Sequence, residues 1–181
     1  MPIRLLVFAV LLLGSHAPPL TAQDTTAYAG LESRAIKALS DEQVRQLEAG
    51  DGMGLALAAE LNHYPGPKHA LALADSLGLS AAQRGIIRQI EERMRTDARR
   101  LGADVLARER ELDRQFAAAT IDSAALARLT TALGQLQGAL RYAHLAAHLA
   151  VTGVLSPEQR HAYDRLRGYA HAGRQDHRHE P

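Results

Sequence analysis

Cysteine and tryptophan are absent from this 181-residue chain, and aromatic residues make up only 4% of it. Without cysteine there is no disulfide staple for an oxidising compartment, no nucleophilic thiol and no lipid attachment point of the bacterial lipoprotein type. No Gly-x-Ser-x-Gly elbow occurs, and no recognisable motif sets a pair of carboxylates, so an enzyme is not expected. The glycine loop at Gly50, Gly52 and Gly54 has no strand before it and no Lys-Ser/Thr pair after it. It reads as a hinge and helix C-cap, not as a nucleotide site. Charge of one sign is also lacking, because the formal net charge is +1. Balanced charge argues against nucleic acid as a partner.

No apolar run is long enough to span a bilayer, which takes roughly 20 residues. The run that does occur, Leu5 to Leu13, follows Arg4 and precedes the small residue Ala22. That order is a signal peptide, residues 1–22, cleaved near Ala22, and it sends the chain to the periplasm without a membrane span in the mature form. Loss of Arg4 leaves the mature chain balanced. Its 46% of hydrophobic residues are largely Ala and Leu, so stability must come from packed helix faces.

Beyond the tail at Gln23–Thr26, a short helix is expected over Tyr28–Leu39. Ser40-Asp-Glu-Gln43 is a capping box that starts a second. Met53–Leu61 reads as a short apolar helix stopped by His63-Tyr-Pro-Gly-Pro67, and Lys68–Leu77 as another ended by Gly78. Residues 23–62 therefore form an N-terminal helical segment with a glycine hinge. A capping box at Ser80–Gln83 opens a long helix to about Ala117, with Ile87, Ile90, Met94, Leu101, Val105, Leu112 and Phe116 as its seam. Nine arginines and seven acids share its other faces, mostly a solvated surface; Arg88, Arg95 and Arg99 are the candidates for holding clients. Asp122 caps a second long helix whose leucines, from Leu126 to Leu140, keep the spacing that lays it antiparallel on the first. Ser156-Pro-Glu-Gln159 starts a final helix with Tyr163, Leu166 and Ala170 on its inner side. The fold class is all-α: a long antiparallel hairpin with shorter flanking helices, spanning residues 63–170. The polar end, 171–181, carries His171, His177 and His179 and reads as a disordered tail.

One spacing points to chemistry. The leucine row of the second long helix, extended by four and eight residues from Leu140, reaches His144 and His148. Imidazoles at (i, i+4) share a helix face and supply half of a metal site. A zincin motif is excluded because Leu145, not Glu, follows the first histidine. The missing ligands must come from elsewhere, and His63, His69 or Glu60 around the Pro-Gly-Pro turn are the candidates.

Leu79-Ser-Ala-Ala-Gln83 and Leu155-Ser-Pro-Glu-Gln159 are two copies of a Leu-(Thr/Ser)-x-x-Gln element that bracket the hairpin. In this the chain resembles the Spy/CpxP group of periplasmic proteins, which includes heavy-metal sensors and zinc-responsive chaperones. The resemblance implies a four-helix hairpin, often paired into a cupped homodimer, working without ATP or catalysis. The metal-sensing branch carries a His-x-x-x-(His/Met) pair before the second element, matched by His144 and His148. It also draws ligands from an N-terminal His-x-x-x-His and a Glu; here His63 and His69 are six apart.

Two functions follow as expectations. The first is a periplasmic metal-binding sensor or heavy-metal resistance accessory protein that takes a divalent transition metal: zinc, nickel, cobalt or copper. The alternative is an ATP-independent chaperone or envelope-stress adaptor that engages unfolded proteins or an envelope regulatory protein without specific metal binding.

Overall fold

The computed structural model describes residues 27–169. The segment read as a signal peptide, the tail at Gln23–Thr26 and the histidine-rich end lie outside them. Two compact units divide between Glu32 and Ser33. Of the first, a turn at 27–30 and the opening of a 3-10 turn, Leu31–Ser33, are described. The second consists of α1 (Asp41–Ala49), α2 (Leu57–Glu60), α3 (Pro67–Ala72), α4 (Ala81–Ala117), α5 (Ser123–Val154) and α6 (Pro157–Arg167). No strand occurs among the described residues.

All three Ser-x-x-Gln sequences form reciprocal caps. The hydroxyls of Ser40, Ser80 and Ser156 accept from the N–H of Gln43, Gln83 and Gln159, whose side chains accept in turn from the serine N–H. These bonds satisfy backbone donors that a helix start otherwise leaves open. Asp122 caps α5 by accepting from the Ala125 N–H at 2.7 Å. The two elements also meet each other. Gln83 Nε2 donates to Gln159 Oε1 at 2.8 Å and to the Val154 carbonyl at 3.0 Å. Gln159 Nε2 donates to Gln83 Oε1 at 3.2 Å and to the Leu77 carbonyl at 3.3 Å.

The hairpin of α4 and α5 is antiparallel as expected, and its core has two parts. Near the open end, Ile87 and Ile90 pack with Ala147, Val151, Leu155, Tyr163 and Ala70. Further along, Leu101, Val105 and Leu106 pack with Leu133, Leu140, Ile36 and Leu47. His144 lies on α5 between Leu140 of one cluster and Ala147 of the other. At the hairpin tip the expected seam is left open, with Phe116 56% and Leu126 39% exposed.

α1 lies against α4 at a point where no side chain fits. A Cβ on Gly102 would stand 2.3 Å from the Leu47 carbonyl oxygen. Gly50 ends α1 in the left-handed region, with φ +70°. Arg99 Nε then donates to the Ala49 carbonyl at 3.2 Å, so this arginine serves the end of α1. Arg88 and Arg95 are exposed on α4.

Three short helices differ from their sequence-based expectations. Over Tyr28–Leu39 only the 3-10 turn forms; Gly30 has φ +89°, and Ile36 is buried as a single anchor. Met53–Leu61 shrinks to α2 because Met53 and Gly54 both have positive φ. Lys68–Leu77 ends as a helix at Ala72, although Ala74, Leu77 and Leu79 beyond it remain buried. Apolar spacing kept these side chains inside while the backbone turned.

Candidate metal centre

α2 stops just before a proline-bounded turn, and this places Glu60 under the start of α3. Glu60 is 6% exposed. An isolated buried carboxylate is costly, so its partners decide whether the arrangement holds. Its Oε1 accepts from the Tyr163 hydroxyl at 2.6 Å and the Tyr169 hydroxyl at 3.1 Å. His69 Nδ1 stands 3.2 Å from the same oxygen. Arg167 Nε is 3.3 Å away, an ion pair whose N–H is not aligned for a hydrogen bond. Oε2 accepts from the Gly66 N–H at 3.2 Å and lies 3.6 Å from His148 Nδ1.

His148 reaches this loop from α5. Its Nδ1 is 2.8 Å from the Tyr64 carbonyl oxygen. A carbonyl can only accept, so Nδ1 carries the proton and the lone pair of the neutral ring is on Nε2. Gly66 lies directly on this ring: a Cβ there would stand 2.8 Å from Cε1 and 2.9 Å from Nε2 of His148. One turn back on α5, His144 is 3% exposed, and its Nε2 is buried with no hydrogen-bond partner. Residues His69, His144 and His148 line one cleft of about 260 Å³, together with Asp51, Glu91 and Met94.

Of the sequence candidates, Glu60, His69, His144 and His148 are therefore gathered at one place. His63 is not among them. Its Nδ1 is 3.0 Å from Asp164 Oδ2, and it lines a separate groove with Arg160 and His161. Sequence reading missed Tyr64, Gly66, Tyr163, Arg167 and Tyr169 as partners of the site, and Asp51 as a wall of the cleft. Tyr163 was recognisable as an inward residue of α6, but no spacing announces which carboxylate its hydroxyl meets.

The donors suit a borderline transition metal: imidazoles, one of them with a buried nitrogen that is otherwise orphaned. The set is not closed, since among the described residues no three His, Asp or Glu side chains converge closely enough to hold an ion as they stand.

A family model described as heavy-metal resistance matches residues 52–162, which is most of the chain and includes Glu60, His69, His144 and His148. The chain belongs to the heavy-metal resistance family. That family is part of the Spy/CpxP-like helical group, so the resemblance carried by the two Leu-Ser-x-x-Gln elements holds. Comparison with curated proteins and with solved structures found no match. No helix among the described residues is long and apolar enough to cross a membrane.

In this family member the centre is also electrostatically tuned. Burial alone would raise the Glu60 carboxyl; the Tyr163 hydroxyl, His69, the Tyr169 hydroxyl and His148 outweigh it and hold Glu60 below the usual carboxylate range. Burial, and next the neighbouring His148, push the His144 imidazole below its ordinary value, against an opposing pull from Asp51. His144 is thus neutral at neutral pH, the form a metal needs. A depressed imidazole favours the fold above its unfolded value of 6.5. That contribution is lost as pH falls from there toward the folded value, because the unfolded chain takes the proton first. A His144→Leu variant is therefore expected to gain on the wild type in urea midpoint between pH 7.5 and pH 5.5. A constant difference across that range would remove the assignment.

Proposed function

We propose that this chain is a periplasmic metal-binding protein, a sensor or accessory of heavy-metal resistance, that acts without catalysis. The observation that carries the reading is the pairing on α5. His148 is held by the Tyr64 carbonyl with Nε2 left as its free donor, and His144 Nε2 is buried without a partner beside the same cleft. His144 and His148 would hold a divalent transition metal with His69 from α3, and Asp51 and Glu91 are further acids on the cleft wall. A bound ion supplies concentrated positive charge and directed bonds between α5 and the loop over it. The chain's own residues prepare the rest: the proline turn brings Gly66 onto the His148 ring, and burial keeps His144 neutral.

The test uses the full chain with His171, His177 and His179 replaced by alanine, titrated calorimetrically with zinc, nickel, cobalt and copper. His144→Ala plus His148→Ala is expected to weaken binding by about a hundredfold or more, since two of the proposed ligands are lost. Micromolar binding that survives the double substitution would sink the site. Absence of binding by the unaltered centre would sink the metal reading.

One observation favours a second reading, that of a homodimeric chaperone for unfolded proteins. Tyr142 is 72% exposed on α5, beside a groove that combines Arg93 and Arg100 with Ala139, Ala146 and Ala150. Such a surface can hold apolar, flexible segments weakly. Here an equimolar amount of the chain is expected to suppress aggregation of a denatured client, and Tyr142→Ser to weaken that effect severalfold. Client aggregation unchanged at every salt concentration tested ends this reading.

A further inference from the structure

Glu60 is the acid nearest the histidines, and proximity alone would make it a metal ligand. Its surroundings point elsewhere. Oε1 already faces two tyrosine hydroxyls, His69 Nδ1 and Arg167 Nε, all within 3.3 Å. Oε2 is occupied by the Gly66 N–H and lies closest to His148 on its Nδ1 side. Both histidines thus turn the same nitrogen toward this carboxylate. An ionised carboxylate only accepts, so an Nδ1 that meets it carries the proton, and in a neutral ring Nε2 then keeps the lone pair.

We infer that Glu60 is the positioning residue of the centre: a carboxylate behind the histidines that meets Nδ1 of His69 and, together with the Tyr64 carbonyl that His148 bonds, holds both rings in the Nδ1–H tautomer and presents their Nε2 atoms as donors. The inference rests on the metal reading above and deepens it. Histidine ligands commonly donate their second N–H to a carboxylate or a backbone carbonyl, which sets tautomer and ring orientation. His148 bonds the Tyr64 carbonyl at 2.8 Å with Glu60 Oε2 behind it at 3.6 Å, and His69 meets Glu60 Oε1 at 3.2 Å. The arrangement also sets specificity. Neutral imidazole donors suit zinc, nickel, cobalt and copper, whereas a carboxylate already supplied with donors has little to offer a hard, oxygen-seeking ion such as magnesium or calcium.

Glu60→Gln tests this with almost no change in shape. Its single carbonyl oxygen can serve the two tyrosines, but its NH₂ then faces the Gly66 N–H and the Nδ1 of His148, donor against donor. Long-range ¹⁵N–¹H spectra of the metal-free full chain read the imidazole tautomers directly. The wild type is expected to carry the proton on Nδ1 of both His69 and His148, and the variant to lose that preference in at least one ring. In zinc titrations the variant is expected to bind about 10–100-fold more weakly, and saturating cobalt is expected to give the same ligand-field band shape in both proteins.

An Nε2–H proton on either ring of the metal-free wild type overturns the inference, and this measurement does not depend on how the variant folds. A cobalt band changed in shape by Glu60→Gln also overturns it, because that marks Glu60 as a ligand. If the wild type binds neither zinc nor cobalt, the metal reading fails and this role goes with it. If the wild type binds and the variant matches it in tautomer and affinity, the positioning role alone fails.

Discussion

Replacing Glu60 with leucine is expected to lower the stability of the fold by about 3–5 kcal/mol, the cost of removing one member of a buried, paired set. The size comes from what is left behind. The Tyr163 side chain is wholly buried, and its hydroxyl would lose a 2.6 Å bond. The Gly66 N–H and the Tyr169 hydroxyl lose their acceptor as well, and Arg167 loses its counter-charge. Each stranded buried donor costs about 1–3 kcal/mol, although the partly exposed arginine recovers part of its share from solvent. Glu60→Gln keeps one acceptor for the tyrosines and is expected to cost less than half as much. Urea unfolding of both variants at pH 7 checks this. A loss below about 1 kcal/mol for the leucine variant would mean that α6 is not tied to the loop through Glu60.

Gly102→Ala is the second large effect, expected at about 3 kcal/mol. Overpacking usually costs about 1–3 kcal/mol, and it reaches the upper end where the obstacle cannot rotate away. Here the obstacle is backbone: the Leu47 carbonyl oxygen at 2.3 Å and its carbon at 2.9 Å from the added methyl. α1 would have to lift from α4, exposing Leu47 and breaking the bond from Arg99 to Ala49. Gly85 is the control. It lies in the same helix, and a methyl added there would meet nothing within 4 Å, so Gly85→Ala should stabilise by about 0.5–1 kcal/mol through helix propensity alone. Opposite signs for the two substitutions, read by thermal unfolding, and faster amide exchange confined to α1 in Gly102→Ala are the expected pattern. Equal and small effects would mean that α1 is not seated on α4 in solution.

How legible the fold was depends on the kind of signal. The long helices and their starts could be read because a capping box is a local device: Ser80 and Gln83, like Ser156 and Gln159, need only each other to declare a helix. The apolar rows of α4 and α5 are long enough for period to dominate. The short helices were misjudged in extent because a single residue, such as Met53 with its positive φ, redirects the chain at little cost to which side chains are buried. At the site, His144 and His148 could be read from spacing, and Glu60 and His69 from their nearness to the proline turn. The parts that give the site its character could not. Tyr163 and Tyr169 come from about a hundred residues further along the chain, and the Tyr64 carbonyl and the Gly66 contact are backbone features with no residue-type signature. His63 looked equivalent to His69 in sequence, but its side chain turns to Asp164.

The meeting of Gln83 and Gln159 explains a choice that capping alone leaves free. A capping box accepts glutamate as readily as glutamine, since either supplies the oxygen that the serine N–H requires. In both elements that oxygen is used this way, at 3.0 Å for Ser80 and 2.9 Å for Ser156, and the opposite end of each side chain must donate. A carboxylate at either position would set oxygen against the Val154 or Leu77 carbonyl and against the amide oxygen of its counterpart. The glutamine of the repeated element is therefore a handshake as well as a cap: it makes the starts of α4 and α6 recognise one another from positions 76 apart in the chain.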